Sequence, residues 1–208
     1  MMSNKLPNHG LYAITPDNLE AEELYLKVEQ ALTGGIAILQ YRDKTSAEKE
    51  KLSRAKVLQK LCLQNAVPLI INDDPHLALA CKAQGVHLGQ NDGSIETARG
   101  LLGENAIIGA TCHHDVSLAL NAQQQGADYV AFGRFFRSST KPGKPLATPA
   151  ILANARKSIR IPIVAIGGIT LDNAQPIINA GAGFIAVVEG VFSSKNYLET
   201  CKKFSALF

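Results

Sequence analysis

The chain has 208 residues, of which 46% are hydrophobic and 19% are charged, and it carries a net charge of +3. This length and composition exclude a disordered chain and favour one domain, residues 1–208, with a sizeable core. The net charge is too small to indicate binding to nucleic acid. No apolar segment approaches the roughly 20 residues that span a bilayer, and residues 1–10 lack the apolar core of a signal peptide. We therefore predict a cytoplasmic protein that binds neither nucleic acid nor membrane.

Apolar segments with β-strand character follow one another along the chain, and each ends in polar or glycine residues. They are Leu11 to Thr15, Ile36 to Lys44, Val67 to Asp74, Gly85 to Asp92, Ala106 to His113, Tyr129 to Arg134, Pro162 to Gly168 and Phe184 to Glu189. Segments with helical periodicity separate them. Leu24, Val28 and Leu32, for example, recur one helical turn apart before a stop signal at Gly34 and Gly35.

A strand followed by a helix, repeated throughout, predicts parallel strands joined by right-handed crossovers. Such an α/β chain either closes into a (β/α)8 TIM barrel or forms an open, doubly wound sheet. We predict a single-domain, eight-stranded parallel barrel, because eight units in 208 residues fit a minimal barrel and no GxGxxG motif follows the first strand. In a barrel the polar strand ends share one rim, where we expect the active site.

Several helix starts can be predicted from side chains that satisfy free backbone amides. Thr45 and Glu48 have the spacing of a capping box before the second helix. Asp115 and Asp172 are predicted to be the N-caps of two later helices.

The end of the second strand is rich in hydrogen-bond donors. Strand geometry places the side chains of Gln40, Arg42 and Lys44 on one side of it. A guanidinium fork, an ammonium and an amide on the inner face of a barrel mouth suit a diphosphate joined to a heteroaromatic ring. The alternative is a solvated strand end whose cations pair with Asp43 or Asp73.

Carboxylates follow the third and fourth strands. If these strands pair, Asp73 and Asp92 lie near each other, and two adjacent carboxylates repel unless a cation joins them. Because Mg²⁺ takes one or two protein carboxylates together with phosphate oxygens, we predict that these two residues bind Mg²⁺. The alternative is that they cap the helices that follow.

Polar residues also follow the later strands. After the fifth, we predict that the Thr111 hydroxyl contacts a ligand and that His113 and His114 have structural or supporting roles. After the sixth, the hydroxyls and cation of residues 138–141 could hold a phosphate in a mobile lid, or belong to a basic surface loop. After the seventh, Gly167 and Gly168 would let backbone amides approach a phosphate.

Five motifs in this order resemble those of one enzyme family. They are Gln40-Tyr41-Arg42-Asp43-Lys44, Ile71-Asn72-Asp73, Gly85-Val86-His87-Leu88-Gly89-Gln90-Asn91-Asp92, Ser138-Ser139-Thr140-Lys141, and Pro162-Ile163-Val164-Ala165-Ile166-Gly167-Gly168-Ile169. From Gly10 to about Ser193 the chain closely resembles the thiamine-phosphate synthases, a family of (β/α)8 enzymes. The resemblance implies Mg²⁺-dependent coupling of hydroxymethylpyrimidine diphosphate to a thiazole phosphate, which releases diphosphate and forms thiamine phosphate.

The resemblance also implies roles for individual residues. Pyrimidine diphosphate would contact Gln40, Tyr41, Arg42, Asp43, Lys44, Asn72, Thr111 and Lys141, of which Arg42, Lys44 and Lys141 would be catalytic. Asp73 and Asp92 would hold Mg²⁺. The thiazole phosphate would contact Ser138, Ser139, Thr140 and Gly168, with Val188 and Glu189 at the end of the eighth strand. The partners would be small-molecule substrates, and a homo-oligomer is possible.

The chain departs from the family pattern at two positions. Thr111 stands where Ser is common, which preserves the hydroxyl, and Glu189 stands where a small hydroxyl residue is common, although a carboxylate repels phosphate. The nearest alternative function is that of the related thiazole tautomerase, which needs a proton shuttle and for which His113 is a candidate. Two further alternatives are a phosphosugar isomerase or lyase and a non-catalytic barrel that senses a phosphorylated metabolite.

Overall fold

A computed structural model of the chain describes residues 6–136 and 147–208. Its strands form a closed parallel barrel in which each strand pairs with its neighbours in sequence and the last pairs with the first. The strands are β1 (Gly10–Ile14), β2 (Ile38–Tyr41), β3 (Leu69–Asn72), β4 (Gly85–Leu88), β5 (Ile107–His113), β6 (Tyr129–Gly133), β7 (Ile163–Ile166) and β8 (Phe184–Val187). The predicted eight-stranded barrel is confirmed, and the open sheet is excluded.

Helices follow the strands and cover the outside of the barrel. They are α1 (Ala21–Thr33), α2 (Glu48–Gln64), α3 (Pro75–Cys81), α4 (Ile95–Leu102), α5 (Val116–Gln124), α6 (Pro149–Ala155), α7 (Leu171–Asn179), α8 (Glu189–Phe192) and α9 (Tyr197–Ser205). The final helix, α9, packs against α1 and β1. Across residues 6–136 and 147–208, none of the helices has the length and apolar character needed to cross a membrane.

Alternate residues of each strand face the two sides of the barrel wall. The outward side chains, such as Leu39 and Ile71, join a core with helix residues such as Leu58. The inward side chains form a separate cluster of Tyr12, Ile14, Ile38, Ile70, Ile107, Tyr129, Ala131, Val164, Phe184 and Ala186. The strands are therefore buried on both faces, which explains their nearly continuous apolar character.

The predicted helix starts are only partly correct. Asp115 caps α5 by accepting a hydrogen bond from the Ser117 amide at 2.7 Å, as expected. The predicted capping box is wrong, because α2 starts after Ala47 and the Thr45 amide donates to the Asp43 carboxylate instead. Asp172 is not an N-cap either, since it lies inside the first turn of α7.

The interior of the barrel contains a large ring that a glycine on the neighbouring strand accommodates. Tyr129 of β6 is fully buried, and its ring lies over Gly109 of β5. A Cβ atom added to Gly109 would lie 2.0 Å from Cζ of Tyr129. Because the barrel is closed, the ring has no free direction in which to move, so this position requires glycine.

We expect Gly109→Ala to lower the free energy of unfolding by about 1–3 kcal/mol, the usual cost of overpacking a core. Gly100→Ala is the matched control, because Gly100 lies on α4 with open space around its Cα and alanine stabilises helices by up to about 1 kcal/mol. Urea denaturation of both variants measures the difference. Equal stability of the Gly109→Ala variant and the wild type would contradict the packing argument.

Candidate active site

The loop after β2 is tied to the loop after β1 by hydrogen bonds. The Thr15 hydroxyl donates to the Arg42 carbonyl at 3.0 Å and accepts from the Arg42 amide at 2.9 Å. Asp17 then binds two groups of the same loop, since its carboxylate pairs with the Arg42 guanidinium and accepts from the Lys44 amide at 2.9 Å. Asp17 is a residue that our sequence analysis missed, and it holds the Arg42 side chain and the Lys44 backbone in place.

Lys44 forms an ion pair with Asp73 at the end of β3. The sequence analysis gave a solvated strand end, with its cations paired to Asp43 or Asp73, as the alternative to a ligand site. The pairing of Lys44 with Asp73 is the part of that alternative that occurs in the structure. Both side chains remain accessible, with relative exposures of 51% for Lys44 and 21% for Asp73. An exposed pair of this kind contributes little stability, so its two charges are available to a ligand at low cost.

Tyr41 and Asp43 point away from the barrel mouth. Tyr41 is buried in the layer between strands and helices, and its hydroxyl donates to Asp43 at 2.9 Å. Although burial alone would raise it, hydrogen bonds from Ser46, Thr45 and Tyr41 lower the pKa of the Asp43 carboxyl well below its usual range. These contacts make Asp43 the anchor of the loop after β2, and a direct substrate contact by either residue stays a prediction.

Asp73 and Asp92 lie side by side, as predicted from the pairing of β3 with β4. The alternative that they are helix caps is wrong, because the caps are Asp74 and Ser94, which accept from backbone amides of α3 and α4 at 2.9 and 3.0 Å. Burial and the adjacent Asp73 carboxyl raise the pKa of Asp92. Two carboxylates in this arrangement favour a cation between them.

The donor set at this point is a pair of carboxylates. Within the described ranges, no group of three or more His, Cys, Asp or Glu side chains could hold a metal ion. A metal here would therefore need oxygen ligands from water or substrate, which is typical of Mg²⁺ and unlike a structural zinc site. Two cavities of about 360 and 110 Å³ flank this pair, and Asp73 lines both.

Thr111 is joined to the barrel interior by hydrogen bonds. Its hydroxyl lies 2.8 Å from His87 Nε2, and His87 Nδ1 lies 3.0 Å from the Tyr129 hydroxyl. Tyr129 in turn contacts the Tyr12 hydroxyl at 2.7 Å, which accepts from Gln40 Nε2 at 2.8 Å. Our sequence analysis missed the roles of both tyrosines and His87. The alternation of side chains along a strand already places these residues on the inner face of the barrel. A tyrosine within an apolar strand, however, first indicates core packing.

The remaining predicted residues occupy the rim at different points. Asn72 ends β3 beside His87. His113 follows an irregularity in the pairing of β5 with β6 and has a positive φ of 51°. Val188 packs against the inner apolar cluster, and Glu189 begins α8. Ser138, Ser139, Thr140 and Lys141 lie outside the described residues.

Gly167 and Gly168 shape the loop after β7. Both have positive φ values, 105° and 65°. A Cβ atom on Gly167 would lie 2.2 Å from Cβ of Arg134, so glycine allows the loop after β6 to approach. The Gly168 carbonyl accepts from the Asn173 side chain at 3.1 Å, which fixes this turn at the start of α7. The approach of the backbone amides of this turn to a phosphate stays a prediction.

Comparisons with known proteins give a consistent result. The family model described as thiamine monophosphate synthase matches residues 11–191. The thiamine-phosphate synthase of Marinobacter nauticus is 55% identical over 187 residues, which cover 89% of this chain and 84% of that protein. That of Methylococcus capsulatus is 45% identical over 202 residues, which cover 97% of this chain and 90% of that protein.

A solved structure agrees with these sequence relatives. The thiamine phosphate pyrophosphorylase from Pyrococcus furiosus superposes with a TM-score of 0.85 at 31% sequence identity. The match covers 96% of this chain and 95% of that one. The similarity therefore extends over the whole barrel.

We expect Asp43→Asn to lower the free energy of unfolding at pH 7 by about 2 kcal/mol, because a charged acceptor is lost from several hydrogen bonds. The folded-state pKa of Asp43 is lowered, so its stabilisation is present above the unfolded-state value of about 4 and is lost as the pH falls through the folded-state value. Wild type and variant should therefore differ at pH 7, and the difference should shrink progressively as the pH falls below about 4.

Urea denaturation across this pH range measures the effect. Asp172→Asn, at an exposed carboxylate in the first turn of α7, controls for the change in net charge. A difference between wild type and Asp43→Asn that does not shrink in acid would contradict a charge-dependent role.

Proposed function

The chain belongs to the thiamine monophosphate synthase family, and on that basis we propose the reaction that it carries out. It is a transferase of thiamine biosynthesis. We propose that it couples 4-amino-2-methyl-5-hydroxymethylpyrimidine diphosphate to 4-methyl-5-(2-phosphoethyl)thiazole, or the carboxylated form of that thiazole. The products are thiamine phosphate and diphosphate, together with carbon dioxide when the thiazole is the carboxylated form.

The arrangement of charge at the ends of β2, β3 and β4 supports this proposal most strongly. Lys44 pairs with Asp73, which lies beside Asp92, and Arg42 pairs with Asp17 in the adjoining loop. Such a site suits a ligand with several negative charges and a metal counter-ion. It agrees with a reaction whose main requirement is stabilisation of a leaving diphosphate.

The carboxylate pair fits a Mg²⁺ ion. Asp73 and Asp92 would hold it. Burial and the adjacent Asp73 carboxyl raise the pKa of Asp92, and a divalent cation would relieve the repulsion between the two carboxylates. When bound, Mg²⁺ would neutralise negative charge on the diphosphate. We propose Mg²⁺ as the cofactor on this ground and on the family resemblance.

The side chains of the protein would supply the rest of the chemistry. The bond between the pyrimidine methylene carbon and the diphosphate oxygen breaks, and the electron-rich aminopyrimidine delocalises the cation that develops on that carbon. Arg42, Lys44 and Lys141 would bind the departing diphosphate, Lys44 exchanging Asp73 for a diphosphate oxygen. The thiazole nitrogen then forms the new C–N bond, so the protein mainly aligns the two rings.

The thiazole phosphate would bind on the opposite part of the rim. Ser138, Ser139, Thr140 and the Gly168 turn are its proposed ligands, in the region where barrels commonly bind phosphate. Glu189 begins α8 after β8, and its carboxylate would repel a phosphate placed beside it. We therefore propose that the phosphate lies on the Gly168 side of the loops after β7 and β8.

The thiazole tautomerase reaction is the second candidate. It needs a proton shuttle, for which His113 at the end of β5 is available. A tautomerase has no use for the two cations and two carboxylates that meet at β2 to β4. A phosphosugar isomerase or lyase would likewise not need the paired carboxylates. A non-catalytic barrel that senses a phosphorylated metabolite would not need them either.

One assay separates these functions. The purified protein is incubated with both phosphorylated heterocycles, with Mg²⁺ or with EDTA, and diphosphate release is followed. We expect release with Mg²⁺ and none with EDTA. Absence of release in Mg²⁺ would contradict the synthase, and isomerisation of the thiazole alone would support the tautomerase.

We expect Asp92→Ala to lower the turnover rate and to raise the Mg²⁺ concentration needed for half-maximal rate, because one of two metal ligands is lost. Glu96→Ala, at an exposed carboxylate on α4, is the control for a loss of nearby negative charge. Diphosphate release measured against Mg²⁺ concentration tests this. Wild-type turnover of the Asp92→Ala enzyme at limiting Mg²⁺ would defeat the assignment.

We expect Lys44→Met to bind Mn²⁺ more tightly than the wild type in the absence of substrate, because Lys44 neutralises Asp73. The expected gain is about fivefold, which corresponds to ~1 kcal/mol for one solvated charge pair. Calorimetry with Lys60→Met as control, at an exposed position of α2, measures it. Unchanged affinity in the Lys44→Met variant would contradict competition between the ammonium and the metal.

A further inference from the structure

A continuous chain of hydrogen bonds crosses the barrel interior from β2 to β5. Its members are Gln40, Tyr12, Tyr129, His87 and Thr111. The successive distances between their polar atoms are 2.8, 2.7, 3.0 and 2.8 Å. We call this set the interior chain. It connects two predicted pyrimidine ligands, Gln40 and Thr111, through three residues that the proposed reaction does not use.

The middle of the interior chain is rigid. The two tyrosines are at most 1% exposed, and their rings pack edge to face with centroids 5.9 Å apart. The His87 ring stacks on Tyr129 with centroids 5.6 Å apart. Burial also raises the pKa of both tyrosines, so each remains a neutral hydroxyl that donates one proton and accepts others.

With Gln40 donating to Tyr12, one assignment of the remaining protons of the interior chain gives each of them an acceptor. Gln40 donates its amide proton to the Tyr12 oxygen. In the first possible direction, Tyr12 donates its proton to the Tyr129 oxygen and Tyr129 donates to His87 Nδ1. His87 then carries its proton on Nε2 and donates it to Thr111. Were His87 to donate to Tyr129 instead, Tyr12 would accept twice, and its own proton would have no acceptor among the described residues. Buried hydroxyls rarely leave a donor unsatisfied, so the first direction is favoured.

This direction determines what the two ends offer to a ligand. At the β2 end, the Gln40 nitrogen is engaged by Tyr12, so its side-chain oxygen remains as an acceptor. At the β5 end, the half-buried Thr111 hydroxyl accepts from His87 and keeps its own proton to donate. A 4-aminopyrimidine matches both ends, since its exocyclic amine donates and its ring nitrogens accept. A 4-oxopyrimidine presents a carbonyl oxygen in place of the amine, which the Gln40 oxygen would repel.

We propose that Tyr12, Tyr129 and His87 are positioning residues that fix the Gln40 oxygen as an acceptor and the Thr111 hydroxyl as a donor, so that the barrel selects a 4-aminopyrimidine over its 4-oxo counterpart. This inference rests on the proposed synthase function, because it concerns the pyrimidine substrate of the same site. It adds residues that do not touch the substrate but determine the polarity of the groups that do.

Tyr129→Phe is the most informative variant, because Tyr129 contacts neither Gln40 nor Thr111 yet lies between them. Without its hydroxyl, Tyr12 has no acceptor except the Gln40 oxygen, so the Gln40 amide would turn and present its nitrogen to the ligand. We expect the preference for the 4-amino over the 4-oxo diphosphate, measured as a ratio of Kd values by calorimetry, to fall about fivefold to tenfold. The KM for the thiazole phosphate should not change.

Tyr197→Phe is the matched control. It removes a tyrosine hydroxyl at the start of α9, where the ring lies against Lys27 and outside the barrel. Its Kd ratio should equal that of the wild type. Tyr12→Phe, which removes the partner of Gln40 directly, provides a second test if Tyr129→Phe does not fold.

The protonation of His87 can be measured without any substrate. ¹⁵N NMR of imidazole-labelled wild-type protein, with His87→Gln for assignment, should show Nδ1 without a proton and Nε2 with one. An Nδ1–H tautomer, or an unchanged Kd ratio in a folded Tyr129→Phe variant, would overturn the inference. Wild-type protein that binds neither pyrimidine diphosphate would contradict the proposed function itself, whichever tautomer His87 adopts.

Discussion

A closed barrel leaves no water-filled space around the side chains of its interior, and this constraint shapes the rest of the structure. Each polar group that points inward must find a partner there or reach the mouth, because an unsatisfied buried donor is costly. Tyr12 and Tyr129 satisfy each other, and their outer partners are Gln40 and His87. The core of the barrel therefore contains a polar chain whose two ends open into the candidate site, so folding and ligand recognition depend on the same hydrogen bonds.

The rim above this interior follows a different rule, in which charges are exposed and compensated in pairs. Arg42 pairs with Asp17, and Lys44 pairs with Asp73. Asp92 lies beside Asp73, and burial together with this neighbour raises the pKa of Asp92. Exposed pairs contribute little to stability. They can therefore be exchanged for substrate charges without unfolding the loops that present them. The barrel thus supplies rigidity through its interior, and the rim supplies charges that a diphosphate and a metal can redistribute.

Strand positions and strand ends could be predicted from the sequence because they depend on local patterns. Eight apolar strand segments, each followed by a helical segment, predicted the barrel. In that barrel β3 pairs with β4, which brings Asp73 and Asp92 together. The interior chain could not be predicted, since Tyr12 and Tyr129 come from strands far apart in sequence and meet only when the barrel closes. The capping box failed for a related reason. Asp43 is held by Tyr41 from outside the helix, and it accepts from the Ser46 amide and from the Thr45 amide, which the Glu48 side chain was expected to satisfy.

Adjacent residues in the short loops after the strands divide two tasks between them. Asp43 anchors the loop after β2 while Lys44 faces the rim, and Asp74 caps α3 while Asp73 faces Asp92. Asp73 can do so because it adopts a positive φ of 63°, which turns the chain between the strand and the helix. These loops, of six residues after β2 and two after β3, thus each carry an anchor next to the functional group. The charges on the rim are consequently as well positioned as the strands and helices that flank them, although they lie outside both.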